Sequence, residues 1–310
     1  MTEPRPPVLS VVIPLFREAA HLGATLPQVV SVLDTLGEEY EIVLIDDGSP
    51  DDTWQAICAQ RARYPQIRGI RLSRNFGKEA ALAAGLDQVR GQAIVVMDGD
   101  LQHPPALIPE MLARWRAGAE VVEAVKQSRG EESAASRARA QWFYRIFTKL
   151  TGFDLHGASD FKLMDRRVLE AWRRMGERNL FFRGMHAWLG FRREQLPFDV
   201  AERAGGESGW SLMQLARLAM TAVTSFSSAP LYLLVAAGLG FAGFAVVIGM
   251  QTLYLKLSGH AVDGFTTVIL LLLILGSAVM LGLGLIGIYI ARIYEEVKGR
   301  PRYVVAEQVE

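Results

Sequence analysis

Two carboxylates stand one residue apart in the run Asp98-Gly99-Asp100-Leu101-Gln102, directly after the apolar stretch Ala93–Met97. Carboxylates at that spacing can share a hard divalent cation. Mg²⁺ or Mn²⁺ prefers oxygen ligands and usually keeps substrate phosphates in its shell. Gln102 can add a carbonyl oxygen. Alone, an Asp-x-Asp pair is equally an ordinary acidic turn. A second pair, Asp46-Asp47, runs into Gly48-Ser49, and a further polar run is Ser73-Arg74-Asn75. Each also follows an apolar run. Two acid pairs in the same sequence context point to a charged ligand.

The elements that must position these residues are short. Leu9–Ile13, Tyr40–Ile45, Ile67–Leu72, Ala93–Met97 and Glu120–Val125 read as β-strands, and 18–36, 51–63 and 77–89 as helices. Alternation of strand and helix predicts an α/β fold, a mostly parallel sheet with helices on both faces. Ligands of such sheets bind beyond the carboxyl ends of the strands, which is where the acidic runs fall. Residues 131–150 carry an aromatic stripe (Trp142, Phe143, Ile146, Phe147, Leu150) among arginines and lysines. That pattern suits a membrane-interface helix or a helix packed on the sheet. A second amphipathic stretch, Trp210 to Thr224, leads almost directly into apolar sequence.

Composition divides the chain. It has 310 residues, 33 Lys+Arg against 33 Asp+Glu, and 21% charged residues. Its mean hydropathy of +0.18 is high for a soluble protein. Balanced charge argues against a general nucleic-acid binder, which needs a basic excess. Only ten of the 66 charges lie beyond Ala229. Leu231 to Leu255 and Phe265 to Ala291 contain none. At about 1.5 Å per residue, either segment is long enough to cross a hydrocarbon core of about 30 Å. Arg292, Lys298, Arg300 and Arg302 follow the second segment, so the positive-inside tendency places that end in the cytoplasm. Two spans return the N-terminal part to the same side. MTEPRPPVLS has no apolar core of a signal peptide. The single cysteine, Cys58, excludes an intramolecular disulfide and a cysteine-based zinc site, as expected in a reducing compartment. The expected organisation is a cytoplasmic domain over 1–209, a juxtamembrane amphipathic helix over 210–229, a transmembrane hairpin over 230–291 and a cytoplasmic tail over 292–310.

Several motifs succeed one another in order: VVIPLFREAAHL, IDDGSPDDT, RNFGKEAALAAGLD, DGDLQHPP, SDFKLMDRR and ERNLFFRGMHAWLGF. ERAGGESGW, SFSSAPL and IYEEVKGRPRY follow. Together they resemble the family 2 glycosyltransferases that load a sugar onto a polyprenyl phosphate, of the bactoprenol glucosyltransferase type. Dolichyl-phosphate mannose synthases share the acidic motifs but resemble the NFGKEAA and NLFFRGMHAWLGF stretches less well. The resemblance covers nearly the whole chain, including both apolar segments.

The resemblance implies a GT-A, Rossmann-like nucleotide-diphospho-sugar transferase domain, amphipathic interface helices and two C-terminal transmembrane helices in a bacterial inner membrane. It places Pro14, Phe16 and Glu18 along the nucleotide site, Asp46 and Asp47 at the base, and Gly77 and Lys78 beside the nucleotide. Asp98, Asp100 and Gln102 would bind the donor diphosphate through Mg²⁺ or Mn²⁺. Arg129 and Arg203 match phosphate-binding positions, and arginine's forked donors suit phosphate. Asp160, by residue type alone a helix N-cap or turn residue, becomes the candidate catalytic base. The implied partners are a nucleotide sugar, with UDP-glucose foremost, undecaprenyl phosphate and the lipid bilayer, in a reaction serving cell-envelope glycosylation.

Three positions depart from the usual motifs. His103 stands where Asp is common, Arg17 where Asn is common, and Gly99 where Ala is frequent. His103 reads as a metal ligand or, before Pro104-Pro105, as a surface turn. Alternative donors are GDP-mannose or a UDP-aminosugar. An alternative of another class is a non-catalytic nucleotide-sugar sensor or flippase partner. Gly282, Gly284 and Gly287 in the second span permit close helix contact and a homo-oligomer.

Overall fold

The structure, a computed structural model, describes residues 7–99, 103–126, 148, 160–177, 182, 188–198, 227, 229–259 and 264–310. The chain divides into two compact units. One comprises residues 1–209 with 300–310, the other residues 210–299.

The first unit is built on a sheet of eight strands. In chain order they are β1 (Leu9–Leu15), β2 (Tyr40–Asp46), β3 (Ile67–Leu72), β4 (Ala93–Val96), β5 (Val121–Lys126), β6 (Lys162–Asp165), β7 (Arg193–Phe198) and β8 (Val305–Val309). Across the sheet they lie in the order β7-β5-β6-β4-β1-β2-β3-β8. The pairs β4–β1–β2–β3 are parallel, as is β5 with β7, whereas β6 runs against β4 and β5 and β8 against β3. The five expected strands are therefore present, each within two residues of its sequence bounds. The reversed strands β6 and β8 carry charged residues, KLMD and VAEQV, and lack the apolar runs that betray a central parallel strand.

The central strands are apolar because both faces are covered. Helices α1 (Ala19–Asp34), α2 (Thr53–Arg63) and α4 (Ile108–Arg116) pack on one face with Leu9, Val11, Ile13, Ile42, Leu44 and Val95. Helices α3 (Lys78–Gln88) and α5 (Arg166–Arg174) take the other. Gly85 lets α3 lie against Val12 and Ile45, since a Cβ there would come within 2.6 Å of both side chains. Asp165 caps α5: its Oδ1 accepts the Arg167 N–H at 2.8 Å. Asp160 therefore does not cap that helix; it lies just before β6.

The C-terminal segment departs from the expected tail. After the second apolar helix, residues 300–310 rejoin the first unit. β8 pairs with β3, the Ser73 N–H donates to the Val304 carbonyl at 2.9 Å, and Tyr303 donates its hydroxyl proton to Asp87 at 2.8 Å. The physical reason is the open edge of β3, whose backbone groups need partners that β8 supplies.

The second unit contains helices α6 (Ala229–Leu257) and α7 (Phe265–Val297). The stretches Pro230–Leu257 and Leu271–Val297 are long and apolar enough to cross a membrane. Leu233, Val247, Leu273 and Ile290 are exposed along them. Helix α7 continues six residues past Ala291. The amphipathic stretches 131–150 (Thr148 apart) and 210–224 lie outside the described residues.

Candidate active site

The site lies where β1, β2 and β4 end. Two loops are locked together there by one carboxylate. Asp47 Oδ1 accepts the Phe76 N–H at 2.8 Å, and its Oδ2 accepts the Gly77 N–H at 2.9 Å. Burial, chiefly, raises the Asp47 pKa above the ordinary value, and the Asp46 charge adds to this; the two N–H donors oppose it. Gly77 adopts φ +96°, ψ 156°, a region open essentially to glycine alone, and α3 starts immediately after it. Gly48, at φ +63°, brings the Asp46-Asp47 turn against the next loop, where a Cβ would sit 2.3 Å from the Arg74 carbonyl carbon. Ser49 ties in the first motif by accepting the Arg17 N–H on its hydroxyl at 3.0 Å. Arg17 itself is left-handed, at φ +59°.

These loops enclose a cavity of about 370 Å³ lined by Pro14, Phe16, Glu18, Asp47, Gly77, Lys78 and Asp98, together with Leu15, Asn75, Ala81 and Gly99. Seven residues expected along a nucleotide are thus brought together, and Asn75 and Ala81 join them. Asp46 lies elsewhere. It is fully buried beneath the turn, where its Oδ1 accepts the Ser49 N–H at 2.9 Å, and it does not line the cavity. The strand alternation explains this, because consecutive residues at a strand end point to opposite sides. Asp100, Gln102, Arg129 and Arg203 lie outside the described residues.

Lys78 joins the two carboxylates that the motifs set apart. Its Nζ lies 2.5 Å from Asp98 Oδ1 and 2.8 Å from Asp160 Oδ2. Asp160 is buried; Asp98 is partly open to the cavity. Burial by itself would lower the lysine pKa, but Asp160 and Asp98 outweigh it and hold the pKa above its ordinary value. The spacing in sequence gave no signal for this bridge. Lys78 and Asp160 are 82 positions apart.

A hard cation suits an oxygen ligand such as the Asp98 carboxylate at the cavity wall. Among the described residues, no three His, Cys, Asp or Glu side chains cluster where they could hold a metal ion. His103 lies in the bend before Pro104-Pro105, only partly exposed. Its half-buried ring packs 5.4 Å from the Phe161 ring and 5.6 Å from that of Phe198.

An α/β sheet with an acidic, lysine-bridged cavity at its strand ends suits a nucleotide-sugar transferase. Residues 10–173 match the glycosyl transferase family 2, and the chain belongs to that family. It is a glycosyltransferase with a GT-A-like fold. An uncharacterized glycosyltransferase of Bacillus subtilis, YkcC, is 38% identical over 298 residues, covering 96% of this chain and 92% of that protein. A prophage bactoprenol glucosyl transferase homolog of Escherichia coli is 36% identical over 299 residues, covering 96% and 98%. The bactoprenol glucosyl transferase of Shigella phage SfV is 35% identical over 302 residues, covering 97% and 98%.

Proposed function

We propose that the protein transfers a single sugar, glucose from UDP-glucose, to undecaprenyl phosphate with inversion at the anomeric carbon. The reading is carried by one observation. The relatives named bactoprenol glucosyl transferases align with 96–97% of the chain, through both apolar helices as well as the catalytic domain. In this reading the two helices anchor the enzyme in the inner membrane with the catalytic domain on the cytoplasmic side. Bringing the enzyme to the lipid is physically sensible, because each buried CH₂ of a polyprenyl chain resists extraction by about 0.8 kcal/mol.

The cavity receives the donor. Phe16 and the wall around Pro14 border the nucleotide, and Asp47 holds the Phe76-Gly77 backbone in place beside it. Lys78 offers positive charge where the diphosphate departs. A divalent cation, held by Asp98 with Asp100 and Gln102, would add to that stabilisation of the leaving group. Arg129 and Arg203 would meet phosphate groups. The acceptor is a phosphate monoester with a second pKa near 6, so it is largely dianionic at neutral pH. Asp160 orients the attacking phosphate and takes up a residual proton.

The test is the purified full-length protein with polyprenyl phosphate, Mg²⁺ or Mn²⁺, and a panel of UDP-glucose, UDP-aminosugars and GDP-mannose. Glycolipid formed from UDP-glucose, and lost on chelation of the metal, is the expected result. Turnover with GDP-mannose alone overturns the donor; no glycolipid with any donor overturns the reaction.

A further inference from the structure

Three charged residues stand in a row across three adjacent strands. The register pairs Asp46 of β2 with Arg71 of β3, and Arg71 with Glu307 of β8. Arg71 Nη1 donates to Glu307 Oε1 at 2.8 Å, while Arg71 Nε lies 3.5 Å from Asp46 Oδ2. The second Glu307 oxygen, Oε2, accepts the indole N–H of Trp54 on α2 at 3.0 Å. Asp46 is fully buried and its Oδ2 has no hydrogen-bond partner, so the Arg71 guanidinium balances its charge. The β3–β8 pairing shifts register between Arg71 and Leu72, a bulge that marks this end of the strand.

We propose that Glu307 is a positioning residue for the donor site, acting through Arg71 on the Asp46-Asp47 turn. The inference rests on the proposed function, since it takes the cavity as the nucleotide-sugar site. Arg71 is partly exposed, and without a second partner its guanidinium would turn toward water. Glu307, pinned on its far side by Trp54, holds the guanidinium along the strand row so that Nε faces Asp46. With Arg71 turned away, Asp46 remains buried with its charge unbalanced, which proteins tolerate poorly. The turn then relaxes, and it carries both Asp47, which fixes the Phe76-Gly77 backbone, and Ser49, which holds the Arg17 N–H. The strand that follows the second apolar helix thus completes the donor pocket without lining it. The Arg71–Glu307 pair is itself largely exposed and contributes little directly, so the effect of its loss runs through Asp46 and the turn.

The test compares Glu307→Ala, Glu307→Asp and Glu310→Ala in the full-length protein. Glu310 belongs to the same C-terminal segment but pairs with Arg68 and Arg90 at the other end of β3. UDP binding is measured by calorimetry, with donor KM, acceptor KM, kcat and Tm alongside. Glu307→Ala should weaken UDP binding and raise donor KM about tenfold, with kcat and acceptor KM within about twofold. Glu307→Asp should recover most of the loss, and Glu310→Ala should leave donor binding unchanged. Unaltered UDP binding in folded Glu307→Ala overturns the inference, as does an equal loss in Glu310→Ala. If the wild-type protein binds neither UDP nor another nucleotide, the proposed function itself fails and takes this inference with it.

Discussion

The ammonium of Lys78 lies 2.8 Å from Oδ2 of Asp160, and the same nitrogen reaches Asp98 at 2.5 Å. One cation at the head of α3 therefore touches both the candidate base and a candidate metal ligand. Replacing it should cost the rate far more than the fold. Lys78→Met leaves the buried Asp160 carboxylate without this cation, so Tm should fall while the protein still folds. Its kcat should fall about 10²-fold or more, the usual cost of removing a group that stabilises developing charge. Lys78→Arg should restore part of the rate. Steady-state kinetics at saturating donor and acceptor check this, and a kcat within twofold of wild type in Lys78→Met would remove the lysine from the mechanism.

The close approach at Gly48 makes a second prediction. A methyl group there meets the Arg74 backbone at 2.3 Å, and φ is +63°. Backbone cannot move aside as a flexible side chain can. Gly48→Ala should destabilise the protein by about 2–4 kcal/mol, combining left-handed strain with overpacking. Gly77→Ala meets open space, so only its backbone strain of about 1–3 kcal/mol applies. Thermal unfolding of both variants tests the order; equal losses would contradict it.

Arg17 offers a gain. It is the described non-glycine residue with positive φ, at +59°, and its side chain is exposed. Asn accepts that conformation more readily than Arg. Arg17→Asn should stabilise the protein by about 0.5–1 kcal/mol while keeping the N–H bond to Ser49. A fall in Tm would show that the Arg17 side chain contributes more than its backbone costs.

Alkaline pH should weaken the catalytic domain. Burial, then hydrogen bonding to a carboxylate, pushes the Tyr303 and Tyr40 pKa values well above the ordinary one: Asp87 accepts from Tyr303, and Asp34 from Tyr40. Each phenol is held neutral in the folded state and ionises near pH 10 when unfolded. Their stabilisation is whole below about pH 10 and is lost as pH rises further. Lys78, also raised, has the same sign. Denaturation from about pH 8 to about pH 12 should show this contribution level to about pH 10 and falling above it, with a shallower fall in Tyr303→Phe. An identical slope would remove Tyr303 as a source.

Much of this architecture was legible in the residues. Val11–Ile13, Ile42–Ile45 and Ala93–Val96 are apolar throughout because both faces of a central parallel strand are buried, and that pattern marks them without a partner in view. The motifs likewise marked Pro14, Phe16, Glu18, Asp47, Gly77, Lys78 and Asp98, which line one cavity. β6, β7 and β8 were not legible. They are short and charged, and their strand character comes from the neighbours that they pair with.

The sequence by itself determined the order of the first five strands and first three helices, the two apolar helices and the residue types at the strand ends, because burial and chain period act locally. Only the tertiary structure decided which of two adjacent aspartates faces the cavity. Asp46 turns inward to Ser49 and Arg71, while Asp47 grips the loop before α3. It likewise decided that Lys78 bridges Asp98 and Asp160, and that Glu307 returns from beyond the apolar helices to meet Arg71. Such contacts join residues tens to hundreds of positions apart. They are set by strand register and by which sheet edge is open, and neither is written in any single stretch of chain.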